Sequence, residues 1–147
     1  MPDSAALTPA GVAERPLVGG NLSLVAALLG TPWAWDMRGA ILFLEDVSEA
    51  RYRVDRLLVQ LHLAGVFRHV AGVVLGSYTQ SEDPQGLLTE LLLPWCRAAG
   101  KPVLGGWPAG HGTPNRPLPL GLRVRLDAVA GSITLLEDFL QAGGQAK

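Results

Sequence analysis

Glu45 and Asp46 end the apolar run Ile41–Leu44 with two adjacent carboxylates, and His111 stands between Gly110 and Gly112 in a long segment rich in Gly and Pro. A carboxylate and an imidazole are the pair from which a general base and its orienting partner are made. Strand ends and loops held by a rigid scaffold are where such groups concentrate. Because side chains alternate across a strand, Glu45 and Asp46 point in opposite directions, and at most one of them faces a given site. The glycines beside His111 lack a Cβ and let a substrate or another chain segment come close. A plainer alternative stands beside each candidate. His111 could be a turn histidine bonded to local backbone, and Glu45 a strand-end acid in an ion pair or at a helix N-terminus.

The other reactive side chains carry less. His62 lies next to Leu61 on a helical pattern and His69 just ahead of a strand, which suits surface or boundary roles. Cys96, the only cysteine, sits in LLLPWCRAAG and reads as a buried structural thiol. One cysteine excludes an intrachain disulfide framework and a multi-thiolate metal site, and makes a reducing compartment the default. Neither a metal nor a cofactor is expected. The serines, Ser4, Ser23, Ser48, Ser77, Ser81 and Ser132, all lie outside any strand-to-helix elbow of the kind that exposes an activated hydroxyl. There is no G-x-S-x-G, H-E-x-x-H or P-loop motif, so local motifs alone leave the function open.

The elements that must position Glu45 and His111 follow from periodicity. Asn21, after Gly19 and Gly20, is a plausible N-cap for a short helix through LSLVAALL that stops at Gly30. Ile41–Leu44 reads as a buried strand, and Val54, Leu57, Leu58 and Leu61 share one face of a helix closing at Gly65. Val70–Leu75 and Lys101–Leu104 read as further buried strands, and residues 86–99 as a helix that Pro94 kinks or restarts. GGWPAGHGTPNRPLP, residues 105–119, is a long rigid loop, and residues 122–136 form a hairpin turning at Ala130-Gly131. Strands alternating with helices, then a hairpin, give a mixed α/β class.

Composition narrows the function from another side. The 147 residues are 48% apolar and 17% charged, with mean hydropathy +0.25. That fits one domain with a sizeable core and a surface some partner covers. Twelve basic against thirteen acidic residues give net charge −1, so no nucleic-acid or anionic-membrane footprint exists. The N-terminal residues lack the basic n-region and unbroken apolar h-region of a signal peptide and no apolar run near 18 residues occurs, so a cytoplasmic location with no membrane partner is expected.

LVGGNLSLVAALLGTPW, GAILFLEDVSEARYRVDRLLVQL, VAGVVLGSY, PVLGGWPAGHGTPNRPLPLG and the closing ITLLE occur in an order and spacing that resembles one family. That family is the LD-carboxypeptidases, serine peptidases that include murein tetrapeptide carboxypeptidases and microcin-immunity hydrolases. The resemblance is to their C-terminal domain only, from about Gly19 to Glu137. It implies a swivelling, layered β/β/α fold for residues 19–140, with 1–18 a linker or tail and 141–147 a tail. It also implies that Glu45 of ILFLED and His111 of GHG are two members of a Ser-Glu-His triad that cleaves an amide between an L- and a D-residue in murein peptides. Asn21 of GGN would line the substrate cleft. Arg15, where a glycine is expected, is a small departure.

The large departure is the nucleophile, whose domain does not match any part of these residues. The implied partners are therefore a serine-bearing N-terminal domain and a murein peptide. The competing readings are a peptide- or protein-binding module that has lost catalysis, and a nonfunctional remnant. Losing the cover of the N-terminal domain would leave an apolar patch, with Trp33, Trp35 and Trp107 the candidates to lie on it, and would favour a homo-oligomer or a bound partner.

Overall fold

The computed structural model describes residues 11–138, apart from Glu82 and Ala99. Its first strand, β1 (Val12–Asn21), begins inside the segment expected to be a linker. Ala13 and Leu17 are buried along it. Pro16 sits where β1 has not yet begun to pair with β2 (Ile41–Val47), since their register starts at Leu17 opposite Ile41. Its missing N–H therefore costs no bond on that side. The ordered unit thus starts by Val12 rather than Gly19. The tail expected at 141–147, like residues 1–10, lies outside the described residues.

Between β1 and β2 lies α1 (Leu22–Leu28), and after β2 come α2 (Arg51–Leu63), α3 (Val66–His69) and β3 (Gly72–Thr79). The chain continues through α4 (Pro84–Gly86), a π-helical turn over Leu87–Leu92, α5 (Leu93–Ala98), β4 (Val103–Leu104), β5 (Arg123–Asp127) and β6 (Ser132–Leu135). Asn21 caps α1, its side chain accepting from the Leu24 N–H at 3.2 Å, and Gly30 follows the helix at φ +78°. The helix expected over 86–99 is instead broken into three pieces. Pro94 cannot donate to a carbonyl one turn back, and the backbone widens into the π turn just ahead of it.

The six strands form one sheet in the order β4-β3-β2-β1-β5-β6. The four joined through helices are parallel, and the C-terminal hairpin is antiparallel to β1. One face packs on the helices. Leu42 and Leu44 of β2 and Val73 and Leu75 of β3 meet Leu22 and Val25 of α1 and Val54, Leu58 and Leu61 of α2. Burying each such leucine contributes about 1.5–3 kcal/mol. The opposite face gathers Ile41, Phe43, Val74, Leu104, Val124 and Leu126.

That second cluster shows how the sheet is shaped. β3 and β5 are three positions apart in the order, about 14 Å in a flat sheet. A Cβ built on Gly72 of β3 would nevertheless lie 2.9 Å from the Leu126 side chain of β5. The sheet therefore curls, bringing the hairpin over the face opposite the helices and giving the layered α/β arrangement. On β2, odd residues point into this curl and even ones toward the helices. That alternation sends Glu45 and Asp46 to different sides.

Candidate active site

Glu45 lies near the end of β2 with only 4% of its surface exposed. Opposite it the β2–β3 register slips: Leu44 faces Leu75, but Asp46 faces Tyr78. Gly76 and Ser77 therefore share the place of one residue, a bulge in β3. The Gly/Pro-rich loop follows the edge of β3 up to this bulge, with the Trp107 N–H donating to Leu75 O at 2.9 Å and the Ser77 N–H to Ala109 O at 2.9 Å. Close approach needs glycine at position 76, where a Cβ would lie 2.5 Å from Ala109 O and 2.7 Å from the Phe43 ring.

This path delivers His111 to Glu45. The imidazole Nδ1 lies 2.8 Å from Glu45 Oε2, and the His111 backbone N–H donates to the same oxygen at 3.1 Å. Gly110 makes the contact possible: its φ is +122°, and a Cβ there would be 2.5 Å from Glu45 Oε2. An ionised carboxylate offers only lone pairs, so Nδ1 carries the proton of this bond. In the neutral ring Nε2 is then the basic atom. Among the described residues nothing hydrogen-bonds Nε2, and the ring is 55% exposed while Glu45 is 5% exposed. The hydrogen bond and charge of Glu45, with a smaller contribution from Asp46, raise the His111 pKa above its ordinary value against a small opposing desolvation.

Asp46 turns to the helix side and serves Asn21. Its Oδ1 accepts from Asn21 Nδ2 at 2.8 Å and from the Val47 N–H at 2.8 Å, and its Oδ2 accepts from the Ser23 N–H and Oγ at 3.1 and 2.9 Å. With Asn21 Oδ1 already capping α1, that amide keeps one N–H and one lone pair beyond these bonds. Asn21 and Glu45 are register partners on β1 and β2, so the candidate ligand-contacting residue and the candidate orienter stand on adjacent strands. The sequence pattern left Asp46 without a role, and only its burial at 3% together with these bonds identifies one.

The other candidates stay apart from this pair. His62 and His69 are exposed on the helix side, His62 against the Trp95 ring. Cys96 is fully buried, and burial pushes its thiol up to about 12. Among the described residues no group of three His, Cys, Asp or Glu side chains is placed to hold a metal ion. An apolar cleft of about 400 Å³, lined by Trp107, Leu118, Ile133 and Leu135 among others, contains neither Glu45 nor His111. Trp33 and Trp35 are exposed at 79% and 46%, whereas Trp107 packs on the sheet with its Nε1 buried.

Residues 14–126 match the model of the LD-carboxypeptidase C-terminal domain, well over half of the chain. The chain belongs to the LD-carboxypeptidase family. It is 35% identical over 111 residues to the murein tetrapeptide carboxypeptidase of Pseudomonas aeruginosa, covering 74% of this chain and 36% of that protein. It is 32% identical over 139 residues to the microcin C7 self-immunity protein MccF of Escherichia coli, covering 88% of this chain and 39% of MccF. Among solved structures, the muramoyltetrapeptide carboxypeptidase of Oxalobacter formigenes superposes with a TM-score of 0.72 at 37% identity, over 86% of this chain and 45% of that one. This LD-carboxypeptidase C-terminal domain therefore spans less than half the length of these relatives. Its mixed α/β fold is theirs as well. No helix among its described residues is long and apolar enough to cross a membrane.

Proposed function

We propose that this domain supplies the general base and its orienter to a serine-type LD-carboxypeptidase whose nucleophile lies on a segment outside these 147 residues. The reaction would remove the terminal D-residue from a murein peptide by cleaving its L–D amide. The observation that carries the proposal is the 2.8 Å contact between His111 Nδ1 and the buried Glu45 carboxylate, made within the stretch that matches the family.

Each group then has a role. The free Nε2 takes the proton of the serine hydroxyl as that oxygen attacks the amide carbon. Glu45, bonded to Nδ1, fixes the tautomer and stabilises the imidazolium that forms. The same Nε2–H protonates the departing amine, leaving an acyl-enzyme that water cleaves by the reverse proton traffic. Asn21 would meet the peptide with its remaining N–H and lone pair. Ser77 is a poor nucleophile here, since its Oγ is committed to Ala109 O and the Gly112 N–H. With Cys96 as a free thiol, the setting we assign is the cytoplasm, in recycling of wall peptides.

Reconstitution tests this reading. The chain mixed with the serine-bearing N-terminal segment of a relative should release a D-amino acid from a murein tetrapeptide, while neither piece alone does so. Turnover by the chain alone that His111→Ala abolishes would show a nucleophile within it and overturn the division of labour.

A further inference from the structure

The His111 loop contains no helix or strand, so its backbone donors must find other acceptors. Three successive N–H groups go to side chains: Gly110 to Asn115 Oδ1 at 3.1 Å, His111 to Glu45 Oε2 at 3.1 Å, and Gly112 to Ser77 Oγ at 3.2 Å. Of these acceptors only Ser77 binds the loop on both sides of the histidine. Its N–H and its Oγ–H both donate to Ala109 O, at 2.9 and 3.1 Å, while the same Oγ accepts from Gly112. Ser77 also belongs to the bulge facing Glu45, so one structural irregularity sets both the carboxylate's neighbour and the loop's anchor.

We propose that Ser77 is a positioning residue that holds His111 against Glu45 by clasping the loop at Ala109 and Gly112. The inference rests on the Glu45–His111 pair as the working base, and it adds a residue that touches neither substrate nor imidazole. The hydroxyl matters because it is donor and acceptor at once. Alanine would keep the backbone bond to Ala109 but leave the Gly112 N–H without its acceptor, freeing the C-terminal side of the histidine.

The test is the NMR titration of the three histidines in the chain as it stands, for the native protein, Glu45→Gln and Ser77→Ala. Glu45, and from further off Asp46, are the charges that act on the His111 ring. Ser77→Ala should move the His111 midpoint down toward that of an unpaired imidazole, by less than Glu45→Gln does, with His62 and His69 unmoved. The Gly112 amide should exchange about three- to tenfold faster, as expected for one lost hydrogen bond. A His111 midpoint unchanged in Ser77→Ala, while Glu45→Gln shifts it, overturns the role of Ser77 alone. A midpoint that even Glu45→Gln leaves unmoved overturns the pair itself. If Ser77→Ala does not fold, Ser77→Cys keeps the volume with a weaker acceptor. The same downward shift then supports the clasp, and an unchanged midpoint overturns it.

Discussion

Gly110→Ala is the smallest change that should separate His111 from Glu45. At φ +122° an alanine is strained, and its Cβ would lie 2.5 Å from Glu45 Oε2, 2.7 Å from Ser77 Oγ and 2.9 Å from Glu45 Cβ. Backbone strain of this kind costs about 1–3 kcal/mol. The overlap cannot be absorbed in place, because Glu45 is buried in the curl of the sheet. The loop must lift, breaking both bonds from His111 to the carboxylate. For a domain of this size about 1–3 kcal/mol lowers the melting temperature by roughly 3–9 °C. Gly39→Ala is the control, since its φ is +68° and a Cβ there meets nothing within 4 Å, so it carries strain without overlap. Thermal melts and the NMR titration of His111 read the outcome. Gly110→Ala should melt below Gly39→Ala and drop the His111 midpoint, which Gly39→Ala leaves in place. A Gly110→Ala protein with the native melt and the native His111 midpoint would refute the packing argument.

Asp46→Ala removes the acceptor of Asn21 Nδ2, of the Ser23 N–H and Oγ and of the Val47 N–H. Chemical denaturation should show a loss of about 2–4 kcal/mol from these part-buried donors, and a loss below about 0.5 kcal/mol would contradict the role given to Asp46. Because the His111 pKa is raised in the fold by Glu45, the pair's stabilisation is fully present below the ordinary imidazole value and is lost as pH rises through the folded value. The melting difference between the native protein and His111→Ala should therefore shrink on going from about pH 6 to about pH 8.5, and a difference that grows would have the wrong sign. Trp33 and Trp35 should be open to a soluble fluorescence quencher and become protected when a serine-bearing segment or a second copy binds. A strictly monomeric chain by light scattering, with its tryptophans shielded, would remove the case for a partner on that face.

Much of this was legible in the residues, for physical reasons that differ by element. α2 could be read because Val54, Leu58 and Leu61 recur at helical spacing and all three are buried. The α1 cap could be read because an asparagine before a short apolar run has one good use. β1 was hidden by Pro16 and two glycines, breakers whose cost vanishes where one edge is unpaired or another backbone must pass close. The π turn before Pro94 and the bulge at Gly76-Ser77 are changes of register, which no side-chain period reports. At the site, residue type and position single out Glu45 and His111, the family resemblance supplies their triad roles, and alternation along β2 separates Glu45 from Asp46. Ser77 and Asp46 stayed invisible because their roles depend on partners 32 to 35 and 23 to 25 residues away.

In the proposed function Glu45 and His111 act as one unit on a serine supplied from outside these residues. A double-mutant cycle in the reconstituted enzyme tests it most directly, with kcat/KM for release of the terminal D-residue measured for the native chain, Glu45→Gln, His111→Ala and the double variant. Members of a triad are strongly non-additive. The double variant should therefore be no slower than His111→Ala, with Glu45→Gln adding nothing once the imidazole is gone. Losses that multiply, so that the double variant falls by the product of the two single effects, would show that the carboxylate and the imidazole work independently and contradict the account.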